Sequence, residues 1–195
     1  MAKNCTSPIS PQSLEWCEGQ TNLPGLRTRL YYIPKSDIVK WPTLPNTLAD
    51  GDSMGELSTY KGSFTLAANK TWKYIDIIVD KSPATAEVQG SKPSKTFLNK
   101  ATLTIAKTDE EAAGFARIAN NSDYVYIAQQ KDGKFRVIGN DMYQTNTDVA
   151  LNLGGEATED MGTTIDITCT DICHLPFYKG EIVTEDGIIN EQVTA

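Results

Sequence analysis

The run Gly51-Asp52-Ser53-Met54-Gly55 is the first place where this chain could do chemistry. Its Gly-x-Ser-x-Gly spacing is that of a nucleophile elbow, in which a sharp strand-to-helix turn lifts a serine hydroxyl toward a histidine base. Downstream, Asp123 or Asp141 could orient the base and His174 could serve as it, so the order Ser, Asp, His is available. The surroundings argue against it. An elbow needs an apolar strand before it and a helix after it, whereas Asn46 to Asp50 is mostly polar and Glu56 to Lys61 leads into a β segment. A loop rich in turn residues is the better reading, with a small serine hydrolase using Ser53 as a weaker alternative.

The cysteines offer a second constellation. Cys5 and Cys17 lie near the start, and Cys169 and Cys173 precede His174. Four soft ligands could hold zinc if the two ends met, drawn from Cys5, Cys17, Cys169 and either Cys173 or His174. Compact zinc sites use cysteine pairs two to four residues apart on both sides. Only the Cys169/Cys173 pair approaches that spacing, so free thiols that behave as small hydrophobes are favoured, and disulfides rank lower still. His174 is the only histidine, which excludes a His-Glu-x-x-His helix, and no phosphate-cradling glycine loop is present. Glu156, Glu159 and Asp160 lack calcium-loop spacing and read as a solvated loop. The expectation is a protein with no catalytic residue, no metal and no cofactor.

The elements that would carry any site are mostly strands. Leu26 to Ile33 alternates, with Leu26, Thr28, Leu30 and Tyr32 on one face and Arg27, Arg29, Tyr31 and Ile33 on the other. Ser63 to Ala67 and Trp72 to Val79 flank Ala68-Asn69-Lys70-Thr71 as an expected hairpin, with Ile75, Ile77 and Val79 facing the core. Phe97 to Ile105 alternates again, with Phe97, Ala101, Leu103 and Ile105 on one face opposing Lys100, Thr102 and Thr104. Thr108-Asp109-Glu110-Glu111 has capping-box spacing and opens the single convincing helix, 108–120. Tyr124 to Gln129 then pairs with Phe135 to Ile138 across Lys131-Asp132-Gly133, and Gly139 stops the second strand. Leu151, Leu153 and Thr163 to Ile172 supply one or two more strands, with Ile165, Ile167 and Cys169 turned inward.

Nine prolines and fourteen glycines among 195 residues, 39% of them hydrophobic, agree with strands and turns around one core. The fold class expected is mainly β, an antiparallel sandwich or barrel with one flanking helix and extended arms. The expected organisation is an arm at 1–24, a β-sandwich domain at 25–175 with a long loop at 45–62, and a second, acidic arm at 176–195. Eighteen basic against twenty-five acidic residues give a net charge of -7, which disfavours tight nucleic-acid binding but suits a surface past which a polyanion slides. No apolar run approaches the ~20 residues that cross a bilayer, and the first residues lack the apolar core of a secretory signal, so neither membrane nor export is expected.

Trp16, Trp41, Met54, Leu57 and Tyr60 stand in segments too irregular to build the domain's own sheet. Such side chains either pack back on the domain or grip a neighbouring chain, where Trp and Tyr contribute most per residue.

The order of elements resembles that of the major tail tube proteins of long-tailed bacteriophages of gut Bacteroides-like hosts. The likeness is carried by Gly25 to Pro45, the stretch Gly62 to Val79, Lys95 to Ile105, and Asp132-Gly133-Lys134-Phe135-Arg136-Val137-Ile138-Gly139. The resemblance implies a tail-tube-like β-sandwich flanked by one helix, hexameric rings, and rings stacked into a DNA conduit within a virion assembled in the bacterial cytoplasm. It implies partners that are copies of the same chain and other tail proteins, with the loop at 45–62 and both termini reaching neighbours. DNA would pass without specific binding, and no small-molecule substrate is implied. A head-to-tail connector or a capsid decoration protein is the alternative from the same broad class.

Overall fold

The computed structural model describes residues 12–45, 53–156 and 161–191. Cys5 and the first part of the expected arm, Gly51 and Asp52 of the serine motif, and Glu159 and Asp160 lie outside the described residues. The strands are β1 (Leu26–Pro34), β2 (Ile38–Lys40), β3 (Thr59–Tyr60), β4 (Thr65–Leu66), β5 (Lys73–Asp76), β6 (Ala84–Gln89) and β7 (Thr96–Ile105). After helix α1 (Glu110–Ala119) come β8 (Tyr124–Gln130), β9 (Phe135–Ile138), β10 (Thr145–Asn152), β11 (Gly162–Asp171), β12 (Phe177–Tyr178), β13 (Ile182–Thr184) and β14 (Gly187–Ile189). The protein is therefore mainly β with one α-helix.

These strands form a three-layered body. The middle layer is a six-stranded sheet in the order β3-β12-β9-β8-β1-β5, antiparallel except where β12 runs parallel to β3. On one side lies an antiparallel four-stranded sheet, β10-β11-β7-β6, and on the other the two-stranded sheets β2-β4 and β13-β14. Two cores result. The first joins Leu30, Tyr126 and Ile138 of the middle sheet to Leu103 of β7, Ile165 and Ile167 of β11, and Ala112 and Ala119 of α1. The second joins Tyr31, Ile33, Val125 and Val137 to Phe64, Trp72 and Ile182.

The alternation read in β1 is thus only half the story. Leu30, Tyr31 and Ile33 are all buried, because a strand in the middle of three layers has an apolar partner on each face. The unbroken buried run Tyr124 to Ala128 in β8 has the same cause. Each fully buried Leu, Ile or Val here stabilises the fold by ~1.5–3 kcal/mol relative to exposure.

Four expectations need correction. The segments around Ala68 to Thr71 turn but do not pair with each other: β4 pairs with β2, and β5 pairs with β1. β4 lies in the outer β2-β4 sheet and β5 at the edge of the middle sheet, so the chain passes between layers across this turn, where Asn69 takes φ 61°. The stretch from 176 is not an arm through residue 191. Tyr178 and Ile182 are buried, and the Tyr178 hydroxyl donates to Glu181 O (2.8 Å) while accepting from Phe64 N (3.1 Å). Gly180 is demanded by this packing, since an added Cβ would lie 2.7 Å from Gly62 O. Residues 53–62 of the long loop likewise fold back, as a 3-10 turn at Glu56–Ser58 leading into β3. Helix α1 starts at Glu110, one residue later than a Thr108 cap would give, and its cap is Asp109, whose carboxylate accepts from Ala112 N at 2.9 Å.

The Tyr124 to Ile138 hairpin forms as expected, with Gly133 at φ 96° in its turn. Gly139 ends β9 at φ 120°, where a side chain would press within about 3.2 Å of the Tyr124 carbonyl.

Candidate assembly surfaces

The motif serine does not sit on an elbow. Ser53 Oγ accepts from Glu56 N at 3.4 Å, so this hydroxyl opens a turn into a 3-10 segment instead of crowning a strand-to-helix junction. Asp123 is ion-paired with Lys35 (3.4 Å) and accepts from Thr145 N (2.9 Å), which ties it to the start of β10. His174 is exposed beside the Phe97 ring, with centroids 5.5 Å apart, and Asp141 is exposed on a loop.

The thiols divide by environment. Cys17 is exposed, while Cys169 and Cys173 are buried, and burial pushes both of these thiols up to about 11. Beside them Asp171 is fully buried. Its Oδ1 accepts from Ile172 N (2.6 Å) and Cys173 N (3.4 Å), but its Oδ2 has no hydrogen-bond partner. Desolvation raises its carboxyl above the ordinary value, with the neighbouring backbone amides and Asn140 pulling the other way.

The five candidate interface residues separate into three groups. Tyr60 belongs to the chain's own second core, and desolvation together with the nearby Asp171 raises its phenol. Trp41 is half-buried, edge-on to Phe64 at 5.3 Å with Lys35 5.9 Å above its ring. Met54 and Leu57 are half-buried on the folded-back loop. Trp16 stands in solvent with 66% of its surface exposed.

Sequence reasoning passed over the outer face of the four-stranded sheet. On β11 the residues opposite the buried Ile165, Ile167 and Cys169 are Thr164, Asp166, Thr168 and Thr170. Register places Asp166 between Asp148 of β10 and Thr102 of β7, and Thr168 between Asn146 and Lys100. Thr102 Oγ1 donates to Asp166 at 2.6 Å, Asn146 Nδ2 to Asp148 at 2.6 Å, Lys100 to Glu87 at 2.9 Å, and Gln89 to Thr170 at 3.0 Å. The face is a largely polar, hydrogen-bonded mat with three carboxylates against one lysine, interrupted by half-buried Leu98 between Thr170 and Glu87. Two of those carboxylates, Asp148 and Asp166, are directly opposite each other, an arrangement that costs stability.

The edges of this sheet differ. β10 is tied down by Asn120 Oδ1, which accepts from Val149 N (3.1 Å), and by the Asp123 bond to Thr145 N. β6, the strand that went unread because Ala84-Thr-Ala-Glu-Val-Gln carries little apolar weight, pairs with β7 alone among the described residues. Its outer edge presents unpaired backbone groups, with Val88 58% exposed.

Arg29, which on sequence grounds shares a strand face with Arg27, lies on the middle sheet and away from the polar mat. It pairs with Asp76 at 3.3 Å and stacks on Tyr74 at 4.1 Å. No helix among the described residues is long and apolar enough to cross a membrane. No protein-family model, no curated protein and no solved structure matches this chain, so any function must be argued from these surfaces alone.

Proposed function

We propose that this chain is a structural subunit that assembles with copies of itself into stacked hexameric rings forming a tail tube, a conduit through which DNA passes without specific binding. The observation that carries this reading is the polar outer face of β10-β11-β7-β6. A sheet face of threonines, an asparagine, one lysine, Leu98 and opposed carboxylates stands outside the two cores, and the Asp148/Asp166 pair works against stability. The same features suit a channel wall. Like charge keeps the phosphate backbone from adhering, and short hydrogen-bonded side chains leave few flexible groups to catch it.

The open edge of β6 supports the reading from a second direction. An exposed edge invites backbone pairing with another chain, and a four-stranded sheet repeated around a ring would meet its neighbour there. The layers packed behind the face would hold it in place.

Negative-stain microscopy of the purified protein tests the proposal. The expected result is rings or tubes with a regular axial repeat. Monomers alone at the highest soluble concentration, with purified tail-initiation complex added as a nucleus, would overturn it.

A further inference from the structure

Residues 12–24 run along the outside of the subunit in backbone that joins no strand. The strap is held at each end. Gly25 O accepts from Lys131 N (3.2 Å), and Gln12 N reaches Met54 Sδ (3.0 Å). Between those points every residue is exposed, including Leu14 at 89%, Trp16 at 66% and Leu23 at 54%. A tryptophan can bury ~150–250 Å², so leaving one in water forgoes a large stabilisation. The strap's only charged residues, Glu15 and Glu18, flank this tryptophan.

A complementary surface lies on the same subunit. Residues 53–62 and the chain around β12 enclose an open cleft of about 640 Å³, with Phe177 exposing an aromatic surface and Lys61, Lys134 and Lys179 around it. Glu56 is the only carboxylate of the lining among the described residues, against three lysines, on a chain whose net charge is -7. Lys61 pairs with Glu56 at 2.9 Å and Lys134 with Asp132 at 3.1 Å, but these pairs are solvent-exposed and are readily exchanged for another carboxylate. Arg136 stacks on Phe177 at 3.3 Å and fixes that ring in place.

We infer that residues 12–24 of a second copy of this chain occupy the cleft, with Trp16 against Phe177 and Glu15 and Glu18 facing the lysines. The subunit's own strap meets Met54, between the cleft residues Ser53 and Gly55, yet none of its residues lines the cleft and its apolar side chains are exposed. The inference rests on the self-assembly proposed above and specifies which surfaces meet.

Cys17, exposed and next to Trp16, supplies the test. Two full-length chains are mixed under mild oxidation. One carries Lys134→Cys, Cys5→Ser and Cys17→Ser, and the other carries Cys5→Ser and a tag that changes its size. The expected main product is a covalent dimer of mixed size, lost on adding Cys17→Ser to the tagged chain and reduced several-fold by Trp16→Ala. A single chain bearing both Lys134→Cys and Cys17 that links only within itself would overturn the inference, as would absence of the mixed dimer. Tubes that form without the link would sink this contact and leave the conduit reading standing, whereas the link without tubes would do the reverse.

Discussion

Ile182→Ala asks whether the C-terminal stretch is structural core or a loose arm. Ile182 is fully buried in the second core with Phe64, Trp72 and, from β12 of the middle sheet, Tyr178, on the side of that sheet away from α1. The substitution removes about three carbons, at ~0.8 kcal/mol each, so the transfer loss is about 2.4 kcal/mol. Incomplete collapse of the surrounding rings adds a cavity contribution, which brings the expected destabilisation to ~3–4 kcal/mol, within the range for such truncations. Equilibrium urea unfolding followed by tryptophan fluorescence is the assay, since Trp72 reports on the same core. Val183→Ala is the internal control: Val183 is 39% exposed on the same strand, and its loss should stay within ~0.5 kcal/mol. A loss below ~1 kcal/mol for Ile182→Ala, or equal losses for the two variants, would refute the packing of β13 described here.

Three further outcomes are expected. Burial raises the Asp171 carboxyl above its ordinary 3.8, so its charge opposes folding: that penalty is absent below the unfolded pKa, grows as pH rises through the raised folded value, and is complete above it. Asp171→Asn should therefore flatten the fall in stability between acid and neutral pH, and an unchanged slope in urea titrations across that range would contradict the burial argument. Cys17 should be alkylated quickly by iodoacetamide at mildly alkaline pH, while Cys169 and Cys173, pushed up to about 11, should react only on unfolding, as peptide mass spectrometry would show. Asp148→Asn with Asp166→Asn should stabilise the protein by a few tenths to ~1 kcal/mol by removing an opposed like-charge pair; no gain in urea unfolding would show that the two carboxylates do not repel.

The elements with strong local signals were readable in advance. The Lys131-Asp132-Gly133 turn, the alternation of β7 and β11 and the acidic start of α1 all depend on neighbours within a few residues. What could not be read was layer membership. Alternation tells two faces of a strand apart but not how many of them are covered, so the double burial of Leu30 and Tyr31 was invisible. The Ala68 to Thr71 turn misled for the same reason, since its flanking strands find partners far along the chain. The last strands are short and spaced by glycine and acidic residues, and only tertiary contacts with Trp72 and Phe64 make them structure. The polar mat was present in the sequence as Asp166, Thr168 and Thr170, but its meaning depends on register with Asp148 and Thr102, which no single strand reveals.

Leu30 and Tyr31 are adjacent in sequence yet anchor opposite halves of the molecule. A common partition of this kind makes melting all-or-none, because neither half can loosen without stripping a wall from the other. The amides of β1 and β8 should accordingly exchange with solvent only through global opening, making these two strands the last part of the protein to let water in.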